Sequence, residues 1–184
     1  MSSCMTLTTG ICRSCKQNIG GVRAAYIADA ADVQWPVTTY NGDVTDVTLA
    51  GGASWFLLLP DKYQSSFTEN ISVNDRGSVY YNGVISLVFS HLDKAMKEAV
   101  AEMAKGDLVM IIEDNNGTKF FCGEKFNEVA VSGGSFETGT SQSDANGATI
   151  EFQYNTINPA MTVVPEAGGD LESALESADS ACQN

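Results

Sequence analysis

Ser90-His91-Leu92-Asp93-Lys94-Ala95-Met96-Lys97-Glu98-Ala99-Val100-Ala101-Glu102-Met103-Ala104-Lys105-Gly106-Asp107-Leu108-Val109-Met110-Ile111-Ile112-Glu113-Asp114-Asn115-Asn116-Gly117 holds three structural instructions in one run. Ser90 and Asp93 have capping-box spacing, with Asp in place of the usual Glu. Leu92, Ala95, Met96, Ala99, Val100 and Met103 recur at helical spacing as one apolar stripe, while Lys94, Lys97, Glu98 and Glu102 face water. Lys105 suits the C-terminal dipole, and Gly106 suits a left-handed cap. The pattern predicts a helix over about 91–104, a rod of ~21 Å. Leu108 to Ile112 then runs apolar without alternation, the mark of a central strand. Asn116-Gly117 turns it back as a tight hairpin, with Thr118 to Cys122 returning.

Outward from this block, the chain reads as strands. Val22 to Ile27 is a first strand. From Asp29 to Ala53 the pattern is weak, and Asn41-Gly42-Asp43 supplies a turn. The expectation there is a hairpin extended into solvent or onto a neighbour. Trp55 to Leu59 is a short buried strand ended by Pro60. Phe67 to Phe89 is a hairpin turning at Asn74-Asp75-Arg76-Gly77. Phe67, Ile71 and Val73 share a face of its first arm, with Glu69 the exception. Val79, Tyr81, Ile85, Leu87 and Phe89 share a face of the second, where Gly83 suggests a bulge. Val129 to Val131 is short, and Gly133-Gly134 and Thr138-Gly139-Thr140 loosen the chain. Ala148, Ile150, Phe152 and Tyr154 alternate with polar residues, as a half-buried strand does.

The fold class expected is therefore mainly β (α+β). It is a β-sandwich or half-barrel of mostly antiparallel strands, flanked by one α-helix. Residues 1–20 read as an N-terminal arm, 21–158 as the domain and 159–184 as an acidic C-terminal arm. In that last arm Leu171, Leu175, Ala178 and Cys182 permit a weak helix that needs a docking surface.

Composition limits function. The 184 residues carry a net charge of -13. The cations Arg13, Lys16 and Arg23 lie in an N-terminal stretch without acids, whereas Glu166 to Asn184 has five acids and no cation. Nucleic-acid affinity comes largely from Lys and Arg on phosphates, so specific DNA or RNA binding is not expected. No run reaches the ~18–20 apolar residues of a membrane span. The opening residues lack the apolar core of a secretory signal, and the expected compartment is a cytoplasm.

No catalytic constellation emerges. His91 is the one histidine and sits in the first turn of the expected helix, and no Gly-x-Ser-x-Gly elbow is present. Cys12-Arg13-Ser14-Cys15 has metal or redox spacing, but a zinc site needs a second pair of ligands. The five cysteines are read as free thiols. Glu113 to Gly117 fails calcium-loop spacing, because Ile112 stands where the first acidic ligand belongs. It reads as a hairpin turn, and Asp144-Ala145-Asn146-Gly147 as an Asx turn. No catalytic residue, metal or cofactor is expected.

Several segments resemble the tail tube proteins of tailed phages, of the type found in phages of Bacteroidetes-like hosts. They are SSFTENISV (65–73), YYNGVISLVFSHLD (80–93), DLVMIIEDNNGTKFFCGE (107–124) and GGSFETGTSQSDANGATIEFQ (133–153). The opening Cys12 to Val22 is similar as well. The sequence departs from the pattern at Lys125-Phe126-Asn127, where a glycine turn is expected. The resemblance implies a non-enzymatic virion protein, made in the host cytoplasm and resident in the tail. Copies form rings, usually hexameric, that stack into a tube through which genome DNA passes unbound. The partners implied are copies of itself and other tail proteins: tape measure, tail terminator, and baseplate or tip. The expected assembly contacts are Cys12 and Cys15 in the N-terminal arm, Asn41, Gly42 and Asp43 in the loop, and Leu171 and Leu175 in the tail. The alternatives are a tail terminator, tip or head decoration protein, or a carbohydrate-binding β-sandwich using Trp35, Tyr40 and Tyr63.

Overall fold

A computed structural model describes residues 18–182 apart from 143, 145 and 168, with side chains described through residue 180. In chain order the elements are β1 (Val22–Asp29), a 3-10 turn (Ala30–Asp32), β2 (Thr38–Tyr40), β3 (Asp43–Asp46), β4 (Phe56–Leu58) and β5 (Ser66–Val73). β6 (Val79–Ser90), α1 (Lys94–Met103), β7 (Leu108–Asp114) and β8 (Lys119–Cys122) follow. The chain closes with β9 (Ala130–Glu137), β10 (Gly147–Thr156), β11 (Met161–Val163) and α2 (Asp170–Cys182).

Two sheets form, in the orders β2-β3-β11-β8-β7-β1-β4 and β5-β6-β10-β9. The seven-stranded sheet is antiparallel except for the β3–β11 pair. The β-rich α+β class is as the alternation of residues predicts, and the sheets do not close into a barrel.

The unbroken apolar run of β7 has a direct cause: both faces of its sheet are covered. Leu108, Met110 and Ile112, with Ala25 and Ile27 of β1, pack against Ile85, Leu87, Ile150 and Phe152 of the smaller sheet. The alternate residues Val109 and Ile111, with Ala24, Tyr26 and Ala28, pack against Leu171, Leu175 and Ala178 of α2 and against Trp55. The molecule thus has three layers: the four-stranded sheet, the seven-stranded sheet, then α2 with the segment around Trp55.

This third layer corrects the domain boundaries. Residues 159–184 are no arm, because β11 sits between β3 and β8 inside the larger sheet. α2 is a second helix docked on that sheet, where Tyr26 Oη donates to Asp179 Oδ1 at 3.0 Å. An isolated helix with so narrow an apolar stripe is marginal; the uncovered face of β1 and β7 supplies the surface it needs.

α1 starts later than its sequence suggests. Asp93 is the N-cap, accepting from Met96 N at 2.7 Å. Ser90 instead ends β6 and donates to Asp61. The helix ends at Ala104, whose N–H bonds Val100 O at 3.0 Å, and Gly106 does not take a left-handed conformation. Only Leu92, Met96, Val100 and Met103 of the stripe are sheltered; Ala95 and Ala99 are exposed. α1 closes one end of the sandwich as the chain passes from β6 to β7.

Gly83 marks no bulge, since β6 keeps regular register through it with both neighbours. It pairs with Tyr154, and a Cβ at Gly83 would lie 2.1 Å from the tyrosine ring. Glu69, the polar residue on the inward face, pairs with the same glycine. Its Oε1 accepts from Tyr154 Oη and from Ala160 N, each at 2.9 Å. The glycine, the ring and the carboxylate form one packed unit. Likewise Gly133-Gly134 lies inside β9, which extends to Glu137. The glycine turn expected near residue 126 is made by Phe126 itself, at φ 73° and 81% exposed.

Candidate assembly surfaces

The four-stranded sheet offers the most distinctive surface. The inward residues of its centre enter the core, and the outward ones are Ser66, Thr68, Asn70 and Ser72 on β5 and Tyr80, Asn82, Val84, Ser86 and Val88 on β6. Thr149, Glu151, Gln153 and Asn155 of β10 continue the face. The four strands contain Glu69, Glu137 and Glu151 but no lysine or arginine, although the chain has ten cations. The outward face is mostly hydroxyls and amides, interrupted by Tyr80, Val84 and Val88, with a slight negative bias from Glu137 and Glu151.

Its two edges are β5 and β9, each 8 residues long. Among the described residues no strand pairs with the outer side of either. Soluble monomers usually block such edges with Lys, Pro or a covering element. Neither edge strand has a lysine or a proline. Near the β5–β6 turn the inward face loses its cover: Ile71 is 69% exposed, Val73 64% and Val79 48%. The alternation of this hairpin is legible in the sequence. That its tip outruns the opposing sheet is not, because this depends on where the other strands end.

The expected contact residues are scattered. Asn41 and Gly42 form the exposed turn between β2 and β3, with φ of 54° and 93°, and Asp43 opens β3 half-buried. The hairpin does not extend from the body, because Val44 and Val47 are buried and β3 pairs with β11. Leu171 and Leu175 are 1% and 4% exposed within the chain's own core, which corrects their assignment as contacts between copies. Cys12 and Cys15 lie outside the described residues. The tyrosines and tryptophan of the glycan alternative do not gather: Trp35 packs edge-on against Phe121 at 6.2 Å in the core, while Tyr40 ends β2 and Tyr63 lies between β4 and β5.

The ionisable groups serve the fold. Buried Glu113 pairs with Arg23 at 2.9 Å and Lys119 at 3.4 Å. Asp114 accepts from Asn116 N and Thr118 N, so the segment Glu113 to Gly117 is the hairpin turn its sequence predicts. The Asp144 carboxyl is held well below the usual range by hydrogen bonds from the Ser141 side chain and from Thr140 and Ser141 N–H groups. Burial pushes the Cys122 thiol up to about 12. Burial also raises the Tyr154 phenol, reinforced by Cys122 and Glu69. Among the described residues, no three His, Cys, Asp or Glu side chains gather as metal ligands, and no helix is long and apolar enough to cross a membrane.

A cleft of about 420 Å3 opens between α2 and the segment 47–56. Trp55 lines it, 3% exposed, and among the described residues its indole N–H has no partner. A buried donor left unpaired costs ~1–3 kcal/mol.

No protein-family model, curated protein or solved structure matches this chain.

Proposed function

We propose that this chain is a structural subunit that joins copies of itself edge to edge into rings, and that the rings stack into a hollow tube of the phage tail type. The observation that carries the reading is the four-stranded sheet, with both edges unpaired among the described residues and no lysine or arginine in its strands. Four antiparallel strands leave β5 and β9 running in opposite directions. A copy related by rotation therefore brings its β9 beside β5 with the antiparallel pattern continued. Closing the ring removes both edges of the smaller sheet. Six copies would make a barrel of about 24 strands. At ~4.8 Å between strands and ~40° tilt it would measure roughly 48 Å across the backbone, well beyond the ~16–18 strands that already enclose water.

The outward face then lines the lumen. DNA adheres through Lys and Arg, and this face has none. Hydroxyls and amides keep it wetted without holding phosphate. The exposed Ile71, Val73 and Val79 supply apolar contact beside the join.

The test places cations in the join. Thr68→Lys combined with Ser135→Lys puts a lysine on each edge strand, both at exposed positions. The pair should abolish high-mass species in sedimentation velocity and leave the circular dichroism of the subunit unchanged. Undiminished assembly by the double variant contradicts edge pairing.

A further inference from the structure

The two edges of the smaller sheet end unequally. Ala130 opens β9 opposite Gln153, so Tyr154, Asn155 and Thr156 of β10 have no strand partner on that side among the described residues. Across the sheet Gln153 is level with Val84 and Thr68, and β5 runs on from Thr68 to Val73. One edge therefore has a notch where the opposite edge has a tip, at the same end of the sheet. The tip carries the exposed Ile71, Val73 and Val79. At the notch stands Phe126, the most exposed large apolar residue among those described, with the exposed Ile157 nearby. Two backbone bonds between Glu124 and Asn127, at 3.0 and 2.9 Å, close the turn that presents it. Glu124 accepts from Ile157 N, Asn158 N and Asn158 Nδ2, which ties the turn to the chain just beyond β10. Phe126 N donates to Glu128 Oε1 at 2.9 Å, and its φ of 73° is a left-handed conformation that strains a phenylalanine. A groove of about 410 Å3 opens between this turn and Ala130, Ser132, Gln153 and Asn155. The subunit alone gains nothing from an anchored, strained turn that holds an aromatic ring in water.

We propose that Phe126 of one copy packs against Ile71, Val73 and Val79 of the next copy in the ring, and that this contact sets the register of the join. The proposal rests on the edge-to-edge reading above. In a ring, β5 of one copy lies beside β9 of the next, with the same end of every sheet on the same side of the ring. The tip of one copy then meets the notch of its neighbour, and the hairpin enters the groove beside Phe126. Edge pairing alone does not choose a register here. The outward residues of β5 are all small and polar, and β9 contains Gly133-Gly134, so a slip along the strands leaves similar neighbours. The ring of Phe126 and the three apolar side chains of the tip leave water together only when the strands are in register. Within one copy they cannot meet, because β6 and β10 separate the two edges by roughly 14 Å.

Phe126→Gly tests this, because subunit and assembly should respond differently. Glycine adopts the φ of this position without strain, and the ring it replaces is exposed, so the urea midpoint of the subunit should be unchanged or higher. The concentration needed for rings should rise by roughly ten- to a hundredfold, as expected when one aromatic side chain is lost from an apolar contact. Val73→Ser should raise it as well, and the two changes combined should raise it little further, because each empties the same contact. Cross-linking then locates the contact. One chain carries Lys125→Cys and the other Asp75→Cys, both with Cys4, Cys12, Cys15 and Cys182 changed to Ser and with the buried Cys122 kept. After co-assembly a short bismaleimide should join the two kinds of chain to each other and neither kind to itself. An unchanged threshold for Phe126→Gly, additive effects of the two changes, or mixed rings without the cross-linked product each overturn the proposal. If the lysine pair at Thr68 and Ser135 abolishes rings while Phe126→Gly leaves them unaffected, edge pairing stands and the register contact alone fails. If the unaltered chain never forms rings, both fail.

Discussion

Gly83→Ala tests the packing of the smaller sheet at its tightest point. The added methyl would sit 2.1 Å from carbons of the Tyr154 ring, so the ring must leave its seat. Overpacking of this kind costs ~1–3 kcal/mol. Moving the ring also breaks the Tyr154 Oη bond to Glu69, and a hydrogen bond to a charged partner contributes ~1.5–3 kcal/mol. The expected loss is ~2.5–6 kcal/mol, a large share of the ~5–15 kcal/mol that holds a domain together. At an m-value of ~2 kcal/mol/M, a loss of ~4 kcal/mol moves the urea midpoint by ~2 M. The cause is isolated by repeating the change in a Tyr154→Ala background. There the seat is empty, and Gly→Ala in a strand should be neutral or gain ~0.5–1 kcal/mol. The two positions should therefore be coupled by at least ~2.5 kcal/mol in a double-mutant cycle. Should Gly83→Ala fail to fold, the double variant still reports, since it should be no less stable than Tyr154→Ala alone. Equal cost of Gly83→Ala in both backgrounds would refute the reasoning, because the glycine would then serve something other than the ring.

Two further outcomes are expected. Leu175→Ala should lower stability by ~2–5 kcal/mol in urea unfolding, since Leu175 is buried under α2 against the larger sheet; a loss below ~1 kcal/mol would show α2 undocked. Cys122 should resist thiol reagents in the native state, and stability should fall as pH rises from about 9 toward 12. The sign follows from linkage: the folded thiol keeps its proton up to about 12 against an ordinary value of 9.0, while the unfolded chain releases it. The stabilisation is complete below pH 9 and erodes at ~1.4 kcal/mol per pH unit for each such group. Tyr154 and Tyr26, raised by burial, act in the same direction. Stability that is flat across this range contradicts the buried placement.

Much of the fold is local and can be read from residues. The alternation of Ala148 to Tyr154 and the Asn-Gly turn at Asn116 depend on chemistry within a few positions, and the structure follows them. The apolar run from Leu108 to Ile112 shows that both faces are covered, yet it does not say by what. α2 was the missing cover. Its leucines make only a narrow stripe, and a helix stabilised mainly by tertiary packing carries a weak local signal. Gly83 misled for the same reason: a glycine between apolar residues fits a bulge or a seat for a ring, and only the cross-strand partner decides. At the start of α1 two acceptors competed, and the Ser90 hydroxyl was taken by Asp61, 29 residues away. Of the candidate surface, the turn at Asn41-Gly42 was legible because turn chemistry exposes it. The bare edges of β5 and β9 were not, because strand order is set by pairings far apart in sequence.

The most direct test of the assembly account is negative-stain microscopy of the purified, unaltered chain across protein concentration and salt. The account predicts rings or tubes with an open lumen. A uniform monomer under every condition would contradict it.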